Sequence, residues 1–132
     1  MAKKSKHKDT DELIARRTLS AARFFYDQAG RAHITHYEYY VEAAIVFAWM
    51  VLEHLEKEFG KTPEAKQWVK NLEENNLTIK ELKKQRNSLS HEQPISINPS
   101  QKEGLYSAAY AKLPDQLNEI KTIVDECEKL FG

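Results

Sequence analysis

Residues 36–59 form a continuous helical pattern with no glycine or proline, and most of its circumference is apolar. Tyr37, Tyr40, Val41, Ala44, Ile45, Phe47, Ala48, Val51, Leu52, Leu55 and Phe59 recur at three- and four-residue intervals. A stripe that wide exceeds what one neighbouring layer needs. The helix therefore belongs at the centre of a bundle, or also meets a second subunit. The longest apolar run, Ala43 to Leu52, is ten residues long. A membrane span needs about 20, so this is a buried helix.

No alternation of apolar and polar residues persists long enough for a strand; Ile95-Ser96-Ile97 is too short. Helix starts are marked by a Ser, Thr or Asp followed three residues later by Glu, the spacing at which two side chains satisfy two orphan amides reciprocally. It occurs at Asp9/Glu12, Thr35/Glu38, Thr78/Glu81 and Ser100/Glu103. Thr62-Pro63 adds a cap followed by proline at the first helical position. These signals predict helices at roughly 10–29, 36–59, 63–75, 79–91 and 101–130. Gly30 and Gly60 fall where C-terminal caps belong. Pro114 predicts a kink or break near Ala111 to Leu113, because its ring removes a ladder bond. The first helix offers Leu13, Ile14, Arg17, Ala21, Phe24 and Phe25 to the core; the last offers Leu117, Ile120, Ile123, Val124, Cys127, Leu130 and Phe131. The expected architecture is an all-α, up-and-down bundle of about five helices over 9–132, behind a disordered basic tail at 1–8.

The 132 residues suit one domain, and 20 basic side chains balance 20 acidic ones. Zero net charge argues against a dedicated DNA-binding domain, which is usually strongly basic. It leaves room for a local single-stranded RNA site. The one cysteine, Cys127, has no internal disulfide partner and points to a reducing cytoplasm. No apolar signal core follows the basic start, so secretion is not expected.

The residues that carry chemistry sit at Arg86-Asn87-Ser88-Leu89-Ser90-His91. Ile79, Leu82, Arg86 and Leu89 recur in helical phase, so a guanidinium occupies a slot expected to be apolar. Arginine is a permanent cation and histidine titrates near neutrality. Together they supply what metal-free phosphodiester cleavage needs, a group to hold anionic oxygens and another to move a proton. Pro94 favours a helix end near Glu92 or Gln93, which puts His91 beside the negative end of the helix dipole. The plain alternative is an Arg86 that caps helix carbonyls and a His91 on the surface.

At Arg86, Asn87 and His91 the chain resembles the HEPN family (higher eukaryotes and prokaryotes nucleotide-binding), whose all-helical domains carry an Arg, a polar residue directly after it and a His four to six residues on. The order of elements is similar too: two long antiparallel helices, a shorter segment, the motif and a closing helix. The resemblance implies a metal-independent endoribonuclease, often a toxin with an antitoxin protein partner or a defence factor. It also implies a homodimer whose two motifs share a cleft, and no cofactor. By the same resemblance His91 moves the proton of the ribose 2′-hydroxyl or leaving oxygen, and Arg86 binds the scissile phosphate. Asn87 bonds phosphate or orients His91, and an acid on the second helix supports the site. Glu53 is the choice for that acid, because Glu42 lies about three turns away. Many members carry a tyrosine just after the histidine; here Glu92-Gln93-Pro94 follows, which leaves a nucleotidylation-type regulatory site unsupported. The alternative function is a non-catalytic module that binds a nucleotide or a protein through the same cleft.

Other constellations point to no chemistry. His33 and His36 have a metal-pair gap, but with no cysteine near they read as solvated turn histidines. No Glu-x-x-His spacing supports a di-metal bundle. Ser90 adjoins His91, and adjacent helical residues do not face each other. Cys127 follows Ile120 and Val124 in helical phase and reads as buried and inert. Tyr37, Tyr39, Tyr40, Phe47 and Trp49 read as core, with Tyr39 and Trp49 on the thinner side as candidates for a subunit interface. Lys3, Lys4, Lys6 and Lys8 read as a solvated tail.

Overall fold

The computed structural model describes residues 12–88 and 99–132. Among the described residues there are five helices and no strand: α1 (Ile14–Arg31), α2 (Ile34–Phe59), α3 (Pro63–Asn75), α4 (Leu77–Arg86) and α5 (Pro99–Phe131). The basic tail, Asp9 and residues 89–98, with Ile95–Ile97, Ser90 and His91 among them, lie outside the described residues. No described helix is long and apolar enough to cross a membrane.

α2 is the central element, touching all four other helices. Its buried residues, Val41, Ala44, Ile45, Ala48, Val51, Leu52 and Leu55, are each at most 2 % exposed. α1 runs antiparallel to it, with Ala15 against Glu58 and Phe25 stacked on Phe47 at 5.3 Å. The face that α1 turns inward differs from the expected one. Ala15, Thr18, Leu19, Ala22 and Ala29 are buried, while Ile14 and Phe24 are 44 % and 55 % exposed. The buried phase of α1 is thus mostly small side chains with Leu19, while Leu13, Phe25 and Tyr26 pack along its edge. α5 closes the bundle, with Arg16 of α1 gripping Asp125 at 2.8 Å and Glu128 at 2.9 Å.

The helix starts show which capping signals win. Thr62 caps α3 as expected, accepting from the Ala65 amide at 3.2 Å. α4 begins earlier than the Thr78/Glu81 spacing predicts, because the Asn76 side chain accepts from Ile79 N at 3.1 Å. His33, not Thr35, holds the cap position of α2, without a side-chain bond. The first helix opens at Ile14 rather than near residue 10, with Leu13 at its cap position. A distant residue does the capping there: the Glu58 carboxylate accepts from the Ile14 and Ala15 amides, the latter at 3.0 Å. A carboxylate at a helix N-terminus satisfies orphan donors and meets the positive end of the dipole. Glu58→Ala is therefore expected to cost about 1 kcal/mol, the usual value of a lost cap. A thermal melt reads this as a lower Tm, and an unchanged Tm would assign the cap no weight.

Two expectations about helix interiors are corrected. Gly30 does not end α1, which continues through it to Arg31. A Cβ there would come within 2.7 Å of the Tyr110 hydroxyl, the tip of a side chain stacked on Tyr26. Of the kink or break expected at Pro114, the break does not occur, and α5 runs through it. Leu113 and Leu117, on either side of the proline, are at most 1 % exposed, and their packing holds both halves of the helix in the core. Gly60 does occupy the cap position of α2, its amide bonding Glu56 O at 2.7 Å without a left-handed backbone.

Candidate functional site

α4 is short, and its inner face is anchored by Ile79 and Leu82, at 1 % and 0 % exposed. Arg86 is the next residue in that phase and is half-buried at the helix end, as are Asn87 and Ser88. The Asn87 amide bonds the carbonyls of both Lys83 and Lys84, so the last turn closes on itself rather than on Arg86. Among the described residues the Arg86 guanidinium has no hydrogen-bond or ion-pair partner. Among the described residues it caps no helix carbonyl. His91 lies outside the described residues, so the Arg86–His91 separation is not part of this geometry.

A groove of about 270 Å³ runs beside this helix end, between α4 and α5. Glu81, Lys84, Gln85 and Ser88 form one wall, and Leu105 and Lys112 stand on the other. Lys112 pairs with Glu81 at 3.4 Å. Below, Gln116 is 2 % exposed and donates to Gln85 Oε1 at 2.8 Å, while its own Oε1 is buried without a partner. Asn76 at the far end of α4 donates to Glu119 at 3.0 Å, so α4 and α5 cross antiparallel with their polar contacts along the seam.

The two acids of α2 weighed for the site fall at opposite ends of the bundle. Glu53 is exposed in a shallow depression with Glu56, Lys57, Gly60 and Lys66, at the turn into α3. Glu42 accepts a hydrogen bond from the hydroxyl of Tyr106, which is 2 % exposed. Tyr106 follows Leu105, which shares the groove with Ser88. Glu42 is thus the acid on the level where α4 ends. Spacing along α2 could not show this, because the direction of α4 across α2 is a tertiary fact.

The aromatic residues divide between core and surface. Tyr40 and Phe47 stack on Phe25, and Tyr37 tilts against Tyr110 at 5.6 Å. Trp49 is not available to a second subunit as expected; it is 7 % exposed because α4 covers it, with Lys83 Nζ 5.8 Å from the ring centroid. Tyr39 is 68 % exposed. His33 and His36 are both exposed at the start of α2, with the His36 ring 6.4 Å from Tyr39.

Cys127 is fully buried, and burial, with Glu126 adding a smaller repulsion, pushes its thiol up to about 12. The folded protein is expected to resist a disulfide-exchange reagent at pH 8 and to react once denatured. Fast labelling of native protein would contradict the packing. Because the folded pKa lies above the unfolded one, this thiol's contribution to stability is complete below about 9 and is lost as pH rises toward 12.

Comparison with protein-family models, with curated proteins and with solved structures finds no match.

Proposed function

We propose that the chain is a metal-independent, HEPN-like ribonuclease acting through Arg86 and His91. The observation that carries the proposal is the state of Arg86: a half-buried cation at a helix end, without a partner among the described residues. Removing a guanidinium from water costs free energy unless an anion meets it, so such a position favours an anionic ligand. His91 stands three positions beyond Ser88 in the chain, a reach of at most about 11 Å. Two motifs in one cleft of a homodimer complete the site, and Asn87 assists at the phosphate.

RNA brings its own nucleophile. The 2′-hydroxyl oxygen attacks the adjacent phosphorus, and the bond from phosphorus to the 5′-oxygen breaks. A His91 imidazole accepts the 2′ proton or donates one to the departing 5′-oxygen, and Arg86 holds the phosphoryl oxygens as charge gathers on them. The products are a 2′,3′-cyclic phosphate and a 5′-hydroxyl. Incubating the chain with single-stranded RNA in EDTA tests the proposal. Cutting that disappears in Arg86→Ala and in His91→Ala supports it. RNA left intact, or cutting that survives both substitutions, overturns it, and Arg86-dependent retention of intact RNA would mark a binding module instead.

A further inference from the structure

We infer that the solvent side of α4 is a phosphate-binding strip that leads a single-stranded polynucleotide to Arg86; it rests on the ribonuclease reading and adds the path of the substrate. α4 carries four cations, Lys80, Lys83, Lys84 and Arg86, against one acid, Glu81. Four minus one leaves an excess of three charges over ten residues, in a chain whose net charge is zero. Glu81 is itself engaged by Lys112 from α5. α1 carries the same excess over eighteen residues, but there Arg16 is already paired with Asp125 and Glu128.

The cations are also contiguous around the helix, with Lys83 linking the exposed Lys80 and Lys84 to Arg86. Residues three and four apart on a helix are neighbours, which groups Lys80 with Lys83 and Lys84, and Lys83 with Arg86. All three lysines are exposed, while Ile79 and Leu82 turn into the core and Arg86 follows their phase, half-buried at the helix end. From Lys80 to Arg86 the strip rises about 9 Å along the axis. Lys83 is held in place over the Trp49 ring, so its charge is positioned rather than free to swing.

The neighbouring groove selects among polyanions. Its apolar lining is the buried Ala109 with the exposed Leu105 and Ala108, in a cleft of about 270 Å³ directly beside Lys84. An acidic peptide needs the cations alone. A polynucleotide uses both features, phosphates on the lysines and the flat face of a base against the apolar lining.

The test measures binding of a fluorescein-labelled oligouridylate by anisotropy over a series of salt concentrations, with the His91→Ala chain so that no cutting intervenes. Each phosphate contact contributes about 0.7 to the slope of log affinity against log salt for a single strand. Combining Lys80→Gln, Lys83→Gln and Lys84→Gln is expected to reduce that slope by about 2 and to weaken binding at least tenfold at low salt. Lys80→Gln with Lys84→Gln, which spares the contact on Trp49, is expected to remove about 1.4 of slope. Lys61→Gln, Lys66→Gln and Lys70→Gln together, all exposed at the other end of the bundle, are expected to leave the slope unchanged. Equal losses in both sets, an unchanged slope in the α4 variants, no binding of the oligouridylate, or equally tight binding of polyglutamate would each overturn the strip. Its failure is separable from that of the ribonuclease reading. A chain that never cuts can still show the lysine-dependent slope, and one that cuts can lack it.

Discussion

His91→Ala is expected to lower cleavage of single-stranded RNA in EDTA by about 10²–10⁴-fold, the range that a positioned general acid or base supplies. Arg86→Ala is expected to cost about 10²–10³-fold, comparable with removing one donor that stabilises an oxyanion. The double variant is expected to be no worse than the weaker single one, because groups acting on one transition state are not additive. Arg86→Lys keeps the charge and loses the planar fork that bonds two phosphoryl oxygens together, so it is expected to recover only part of the rate. Thermal melts of all four variants should stay close to that of the parent. Arg86 has no partner among the described residues whose loss would leave a buried group unpaired. A melt lowered by several degrees in Arg86→Ala would instead give the guanidinium a structural role.

The largest effect on the fold is expected at Leu55, which is 0 % exposed on the helix that touches every other. Leu55→Ala removes buried methyl groups and leaves a cavity that neighbours on several helices cannot all move to fill. The expected loss is about 2–5 kcal/mol. In a domain whose total stability is about 5–15 kcal/mol, that is a large fraction. Denaturant melts should show a lower midpoint with the slope unchanged. Tyr39→Ala, on the same helix but 68 % exposed, is expected to change the midpoint little. A Leu55→Ala midpoint equal to that of Tyr39→Ala would contradict α2 as the centre of the bundle.

The difference between those two residues shows what the sequence makes legible. The stripe from Val41 to Leu55 marks α2 as central because burial on several sides imposes apolar residues on several sides. Cys127 is readable for the same reason, in phase with Ile120 and Val124. Thr62-Pro63 is readable because a cap and the residue after it are local. The misreadings share a non-local cause. At α1, hydrophobic size favours Ile14 and Phe24 for the core, but tertiary packing buries the phase of Ala15, Leu19 and Ala22 instead. The cap of that helix comes from Glu58, 43 residues away from Ala15 along the chain. Trp49 looks exposed on a helical wheel of α2 alone and is covered once α4 crosses it. Pro114 breaks an isolated helix, while here tertiary packing carries α5 through. Among candidate site residues, the inward phase of Arg86 follows from Ile79 and Leu82. That Glu42 rather than Glu53 stands level with the end of α4 depends on how the helices cross.

The most direct test of the account is the chemistry of the cut ends. RNA incubated with the chain in EDTA should yield fragments ending in a 2′,3′-cyclic phosphate and beginning with a 5′-hydroxyl, while a strand with a single 2′-deoxy sugar at the cut site should stay whole there. Fragments carrying a 3′-hydroxyl and a 5′-phosphate, or cutting that ignores the missing 2′-hydroxyl, would mean that water and not the ribose is the nucleophile. The roles assigned to Arg86 and His91 would then be wrong.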